Sequence, residues 1–98
     1  MKVKNMTNSR GNTVPNQIII TDDNGVYFQS YDSMIAFMPH DFDPGSPWAH
    51  HKIHLDRTYW DYSATTGKYR NQVLGDGITE TRKKIASGEY ILTDLNGG

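Results

Sequence analysis

Short apolar runs separated by turn residues dominate the first half of the chain, and this pattern predicts β-strands. The runs "NQIII" and "VYFQSY" flank the turn sequence "TDDNG", so they predict a β-hairpin from about Asn16 to Tyr31. Asn24-Gly25 is the pair in this turn that best tolerates positive φ. The third run, "SMIAFM", is stopped by Pro39 after six residues, which is too short for a stable helix. We therefore predict a third strand there, with a helix capped by Ser33 as the alternative.

Two further strands are predicted beyond the proline-rich segment that follows. In "KIHLD", Ile53 and Leu55 alternate with polar neighbours, which is typical of a half-buried strand. The segment "EYILTDL" near the C-terminus is β-branched and apolar enough to predict a last strand that adds to the same sheet.

The region between these two strands has helical spacing instead. A first helix is predicted to begin at an N-cap provided by Ser63, Thr65 or Thr66 and to be ended by Gly75 and Gly77. The next segment, "ITETRKKIASG", has an acidic residue early and three cations late, with Gly88 where a C-cap glycine belongs. It therefore predicts a second helix.

Together these elements predict an α+β fold, with a mostly antiparallel sheet of four to five strands and two short helices on one face. The 98 residues make one domain. Residues 1–15 are polar, with neither a strand period nor a helix period, and are predicted to form an arm or loop. Residues 39–51 contain three prolines and a glycine, so we expect a long loop there.

Composition and charge exclude several classes of function. Ten Lys and Arg against eleven Asp and Glu give a formal net charge of −1, so no global basic field favours nucleic acid. The chain has no cysteine, which excludes disulfides, thiolate metal sites and cysteine nucleophiles. No apolar run approaches the ~20 residues of a membrane-spanning helix, and the N-terminal residues do not read as a secretory signal. The expected location is the cytoplasm.

A cluster of histidines and aspartates is the only group of residue types that suggests a metal. On a strand, however, His50 and His54 would lie about 13 Å apart and could not bind one ion. Solvent-facing histidines beside a flexible loop are therefore favoured, and a site that uses His40 or His51 with distant ligands is left open. We predict no metal and no cofactor. The cluster consists of His40, Asp41, Asp43, His50, His51, His54 and Asp56.

Catalytic motifs are missing from the sequence. No serine or threonine lies in a nucleophile elbow, and "GDG" at 75–77 lacks the lysine and the flanking strand of a nucleotide-binding loop. Asp22-Asp23 is a pair of carboxylates in a predicted hairpin turn, where acidic residues are expected for turn chemistry alone. An enzyme is therefore not predicted, and a metal-dependent enzyme is the third hypothesis.

Single-stranded nucleic acid is the alternative partner, since aromatic rings can stack on unpaired bases while cations contact phosphates. The stretch "TYWDYSATTGKYRN" carries both residue types. Core packing is the competing interpretation, because large aromatic residues most often build the core of a small domain. The candidate nucleic-acid residues are Tyr59, Trp60, Lys68 and Arg70.

Protein binding is the favoured function, because Tyr, Trp and Arg are the usual anchors of protein interfaces. Phe42 and Trp48 stand among prolines, glycine and aspartates, where large rings are hard to bury in a sheet. Both rings could also fold back over the core, and the two interpretations are held level. The predicted partner-binding residues are Phe42, Trp48, Arg82, Lys83 and Lys84. Nothing in the sequence indicates an oligomeric state.

Several short segments of the sequence match a known family pattern. "YFQSYDSMIA" at 27–36, "WDYSATTGKYRN" at 60–71 and "TRKKIASGEY" at 81–90 resemble a family of small uncharacterised proteins carried by tailed phages and mobile elements. The region from Pro39 to His51 departs from this pattern, being longer and richer in proline, aromatics and histidine. The resemblance assigns no catalytic or binding residue. It implies a phage-type protein that binds a host or viral macromolecule, with an inhibitor of a defence complex such as a CRISPR effector as the expected role.

Overall fold

The chain builds one sheet from four strands in its first half and two in its second half, and two helices from the second half cover it. The computed structural model describes residues 1–97. The strands are β1 (Lys2–Thr7), β2 (Thr13–Thr21), β3 (Gly25–Ser30), β4 (Ser33–Pro39), β5 (Ile53–Asp56) and β6 (Tyr90–Thr93). The helices are α1 (Ala64–Leu74) and α2 (Ile78–Ser87), and a single 3₁₀ turn at Ala49–His51 precedes β5.

The six strands lie side by side in their order along the chain, with β1 and β6 at the two edges. Neighbours pair antiparallel from β1 to β5, whereas β6 runs parallel to β5. A parallel neighbour requires a crossover connection, which α1 and α2 provide. The predicted α+β class with a mostly antiparallel sheet is confirmed, and the sheet has six strands rather than four or five.

The N-terminal residues are part of the sheet, so the prediction of an arm or loop over residues 1–15 was wrong. Strand β1 pairs with β2 in a register that places Val3 opposite Ile20. The turn between them is closed by Asn8, whose side-chain Oδ1 accepts from the backbone N–H of Asn12 at 3.0 Å. Sequence periodicity missed β1 because its side chains are mostly exposed, with Met6 as the buried exception. This strand is stabilised by ladder hydrogen bonds to β2 rather than by an apolar face.

The hairpin predicted from Asn16 to Tyr31 is confirmed as β2 and β3, but its glycine has a different role. Neither residue of the Asn24-Gly25 pair has positive φ. Instead the ring of Phe37 lies over Gly25, where an added Cβ would stand 2.7 Å from Phe37 Cε1 and 2.9 Å from Pro39 Cα. Gly25 is therefore required for close packing between β3 and β4.

Both helices begin and end with recognisable caps. Among the three candidates, Ser63 is the N-cap of α1, and its Oγ accepts from the backbone N–H of Thr66 at 3.1 Å. Gly75 ends α1 at φ 74°, and Gly88 ends α2 at φ 84°, both in the left-handed region that favours glycine. The segments predicted as helices and as the strands β4, β5 and β6 are all confirmed.

The helices cover one face of the sheet and leave the other open. Cross-strand partners share a face, so Phe28, Ala36 and Leu55 form a continuous buried row on β3, β4 and β5. Tyr69 of α1 is buried in the same cluster, and Ile85 of α2 packs against it. Burying a side chain of this size contributes about 1.5 to 3 kcal/mol, so this row supplies much of the driving force for folding.

No helix in residues 1–97 combines the length and the apolar character that crossing a membrane would require.

Candidate functional site

The loop between β4 and β5, residues 40–52, is held in shape by its own hydrogen bonds. The backbone N–H of Asp43 donates to the carbonyl of His51 at 2.9 Å, which joins the two ends of the loop. Ser46 Oγ lies 2.8 Å from His51 Nδ1, and Asp43 Oδ1 accepts from the N–H of Gly45 at 3.0 Å. The predicted loop is therefore a fixed platform rather than a loose connection.

The two large rings of this loop have different surroundings. Phe42 is 38% exposed and lines a shallow depression of about 270 Å³ on the helix-covered side, together with Met38 and Leu74. Trp48 is 63% exposed, and its ring stacks on His50 with centroids 6.4 Å apart. The sequence analysis left open whether both rings are exposed for a partner or fold back over the core. Phe42 folds partly back over the core, whereas Trp48 is exposed to solvent.

The three cations predicted on α2 also separate into two kinds. Arg82 and Lys83 have side chains that are 67% and 71% exposed, with nearest carboxylates at 3.7 Å. The Nζ of Lys84 lies 3.0 Å from Asp76 Oδ2, and the residue lines the same depression as Phe42. Lys84 is thus a structural contact, whereas Arg82 and Lys83 face solvent.

Asp76 links Lys84 to Tyr90, because the Tyr90 hydroxyl donates to the same carboxylate. Burial raises the pKa of Asp76, but the hydrogen bonds from Tyr90 and Lys84 and the charge of Lys84 outweigh it, so the pKa lies below its ordinary value. Burial and the neighbouring carboxylate raise the pKa of the Tyr90 hydroxyl. This cluster fastens the connection between the helices to β6.

The histidines of the predicted cluster are engaged with the backbone or with neighbouring side chains. His40 Nε2 donates to the carbonyl of Asp22 at 2.6 Å, and His54 Nε2 donates to the carbonyl of Ala49 at 2.9 Å. His51 Nε2 lies 3.5 Å from an Asp41 oxygen. Across residues 1–97 no three ligating side chains are arranged to hold a metal ion. The cluster therefore serves to attach the loop to the sheet.

The residues of the nucleic-acid alternative lie in the junction between β5 and α1 and on α1 itself, and they have different surroundings. Arg70 is only 1% exposed, with its guanidinium 5.3 Å from the Trp60 ring. Its Nη1 donates to the Trp60 carbonyl at 2.8 Å and to Asp61 Oδ1 at 3.0 Å. Buried Arg70 is thus paired with half-buried Trp60, while Tyr59 and Lys68 are exposed.

Asp56 is a buried carboxylate whose role sequence reasoning missed. Its two oxygens accept from the backbone N–H groups of Thr58, Tyr59 and Leu95 at 2.8 to 3.0 Å. Burial raises its pKa, but the three backbone hydrogen bonds and a side-chain hydrogen bond from Asn96 lower it by more. The pKa of Asp56 is therefore below its ordinary value. Asp56 therefore holds the turn after β5 to the C-terminal segment. An aspartate that ends an alternating strand and precedes a turn is the signal that points to this role.

The open face of the sheet carries a row of aliphatic and aromatic side chains that crosses every strand. Tyr27 and Phe37 are cross-strand partners with ring centroids 4.7 Å apart, and the Phe37 and His54 rings follow at 6.4 Å. With strands about 4.8 Å apart, six members span about 24 Å. The site predictions did not include this row, because each member appears as an ordinary strand residue until the register is known. The row is Val3, Ile20, Tyr27, Phe37, His54 and Ile91.

These features define a small α+β domain with one covered face, one open face and a fixed loop beside the open face. A family model described as "Family of unknown function (DUF8033)" matches residues 1–91, and the chain belongs to that family. No curated protein and no solved structure matches the chain significantly.

Proposed function

We propose that this protein binds the surface of another protein and acts without catalysis. The observation that carries the proposal is Trp48, which is 63% exposed on a loop fixed by its own hydrogen bonds. A ring held in place loses little conformational entropy when a partner covers it. Tryptophan is also enriched among the residues that dominate interface energies. Trp48 is therefore the proposed centre of the contact, with Phe42 at its margin.

The proposed partner is a complex of a host defence system, such as a CRISPR effector, in the cytoplasm of the host cell. This part of the proposal is supported by the resemblance to small phage proteins. Arg82 and Lys83 are the proposed electrostatic contribution, because both side chains are more than two-thirds exposed. Lys84 is omitted from the contact, since its charge is paired with Asp76.

A plaque assay tests the target. The protein is expressed in a bacterial strain whose CRISPR system targets a test phage, and plaques are counted against an empty-vector control. We expect the wild-type protein to raise the plaque count and Trp48→Ala to lose most of that effect. Tyr31→Asn is the matched control, because Tyr31 is an exposed ring at φ 55°, a conformation that asparagine tolerates. Equal plaque counts for vector and wild type would reject the target, and equal activity of all variants would reject Trp48.

Single-stranded nucleic acid is the second candidate function, and the exposed tyrosines favour it. Tyr59 and Tyr62 pack edge to face with centroids 5.5 Å apart, on the same junction as exposed Lys68. Arg70 does not contribute a free charge, because it is buried against Asp61. Titration with a labelled oligonucleotide at low salt tests this candidate. A true binder must show an affinity that falls steeply as salt rises.

A further inference from the structure

A depression of about 660 Å³ lies on the open face, between the Tyr27 and Phe37 rings of the cross-strand row and the loop of residues 40–52. Its floor is formed by the rings of Tyr27 and Phe37, which are both half-buried. Two aspartates, Asp23 and Asp41, and two histidines, His40 and His50, line its walls. The depression therefore offers aromatic faces and acidic groups to the same occupant.

The charge of this depression is unbalanced. No lysine or arginine within residues 1–97 lines it. Asp23 is exposed, and the Asp41 side chain is 65% exposed with His51 as a neighbour at 3.5 Å. Aromatic faces attract cations through their negative quadrupole, and carboxylates attract them directly. The chemistry that fits the depression is therefore a cationic group with a flat or apolar stem.

The shape of the floor is fixed by backbone packing. The Phe37 ring lies over Gly25, where even a methyl group would clash at 2.7 Å. Tyr27 packs beside that ring at 4.7 Å between centroids. The two rings thus present a preorganised surface, which lowers the entropy cost of binding.

We propose that this depression receives an arginine or lysine side chain from the protein partner. The proposal rests on the protein-binding function above and names the chemistry of the partner surface. His50 lines the depression and stacks on Trp48, so the cation site is continuous with the proposed Trp48 contact. A nucleic acid would place phosphates next to Asp23 and Asp41, where like charges repel. The partner is therefore a protein with a basic surface residue.

A titration followed by ¹H–¹⁵N correlation spectra tests the site with a defined probe. The probe is a nine-residue peptide of alternating arginine and glycine, and the control peptide has glutamate in place of arginine. We expect amide shifts concentrated at residues 23–27, at Phe37 and at His50 with the arginine peptide alone. Tyr27→Leu keeps an apolar strand residue without the aromatic face and is expected to weaken binding about fivefold.

The acidic wall is tested by the double substitution Asp23→Asn with Asp41→Asn, which we expect to weaken arginine-peptide binding about fivefold. Asp32→Asn is the matched control, because Asp32 is exposed in the turn after β3, outside the depression. Unchanged spectra away from the substitution show that each variant is folded.

Three results would overturn the inference: no localised shifts with the arginine peptide, equal shifts with the glutamate peptide, or the same amides shifted by a thymidine oligonucleotide. The last result would assign the rings to base stacking instead. If Trp48→Ala abolishes the plaque effect while the arginine peptide does not bind, the cation site alone is rejected. If the peptide binds the depression but wild type has no plaque effect, the defence target is rejected and the site stands.

Discussion

The junction around Arg70 and the open depression around Phe37 both combine aromatic rings with carboxylates, but only the junction supplies its own cation. At the junction, the Arg70 guanidinium is buried and bonded to Asp61, with the Trp60 ring 5.3 Å away. In the depression, rings and carboxylates meet with no lysine or arginine among the described lining residues. The first region satisfies its charge internally, so it contributes to stability. The second leaves its charge for a partner, so it is the better candidate for binding.

This difference shows why composition alone misplaces a site. Aromatic residues beside cations at 59–70 suggested a surface for stacking on bases. In the structure, however, Trp60 and Arg70 contact each other, so neither is free to contact nucleic acid. The Arg70 guanidinium is buried whereas the Asp61 side chain is 34% exposed, so loss of Arg70 removes buried packing and hydrogen bonds rather than stranding a buried carboxylate. Substitutions in the two regions should therefore separate stability from binding.

Arg70→Met is expected to have the largest effect on stability, because it removes the buried donor to the Trp60 carbonyl and to Asp61. We expect the free energy of unfolding, measured in urea, to fall by about 2 to 3 kcal/mol, because hydrogen bonds from a buried charged group are lost. Lys68→Met is the matched control on the same helix, and its exposed side chain predicts a change within about 0.5 kcal/mol. A loss below about 1 kcal/mol for Arg70→Met would show that the junction does not depend on this pair.

Gly25→Ala tests whether the floor of the depression is as rigid as the close approach of Phe37 implies. The added methyl group would clash with the Met38 carbonyl oxygen, the Phe37 ring and the Pro39 backbone, so it must displace β4 as well as the ring, and such overpacking costs about 1 to 3 kcal/mol. Urea unfolding measures the change. Gly45→Ala provides the comparison, because its Cβ would meet Asp43 Oδ1 at an ordinary 3.5 Å. Similar stability for the two variants would contradict the packing argument.

Asp76→Asn tests a second carboxylate that is paired within the protein, with Lys84 and Tyr90 as its partners. Its effect on the free energy of unfolding depends on pH. Because the pKa of Asp76 is below its ordinary value in the folded state, its stabilisation is present above about pH 4 and is lost as pH falls through the folded pKa. We expect Asp76→Asn to cost about 1 to 2 kcal/mol at pH 7 and less at pH 3, because it breaks the contacts with Lys84 and Tyr90. Urea unfolding at both pH values measures this difference. An equal cost at both pH values would contradict the assignment of the shift to this carboxylate.

Trp48→Ala should have the smallest effect on stability, within about 0.5 kcal/mol, because the ring is mostly exposed. Thermal or urea unfolding of this variant beside the wild type measures it. A loss of more than about 1.5 kcal/mol would mean that Trp48 supports the loop, which would contradict its assignment as a contact residue that is free for a partner.

Helices and strands whose caps or apolar periods are visible in the local sequence were predicted correctly. The strand that only its pairing with a neighbour positions was not. An N-cap among Ser63, Thr65 and Thr66, helix ends at Gly75 and Gly88 and the alternation at Ile53 and Leu55 were predicted from neighbouring residues; the structure confirms them and selects Ser63 as the cap. Strand β1 was missed because its exposed side chains carry no period. Its position is set by the register with β2, which is a long-range property.

For the candidate site, the identity of the residues was likewise predictable from the sequence, but their exposure was not. Phe42 and Trp48 were found from composition, since large rings in a proline-rich loop are conspicuous. The sequence did not reveal that Trp48 is exposed while Phe42 turns toward Met38 and Leu74, because exposure depends on how the loop ends are joined. The hydrogen bond between Asp43 and His51 decides that arrangement.

By itself, the sequence determined the α+β class, the hairpin, both helices and the absence of cysteine chemistry, because each depends on local periodicity or on composition. The tertiary structure decided which charges are free. Arg70 and Asp61 lie nine residues apart and meet only because α1 folds back along the junction. Tyr27, Phe37 and His54 become one row only through the register of β3, β4 and β5. Contacts of this kind depend on packing between elements, which a local pattern does not encode.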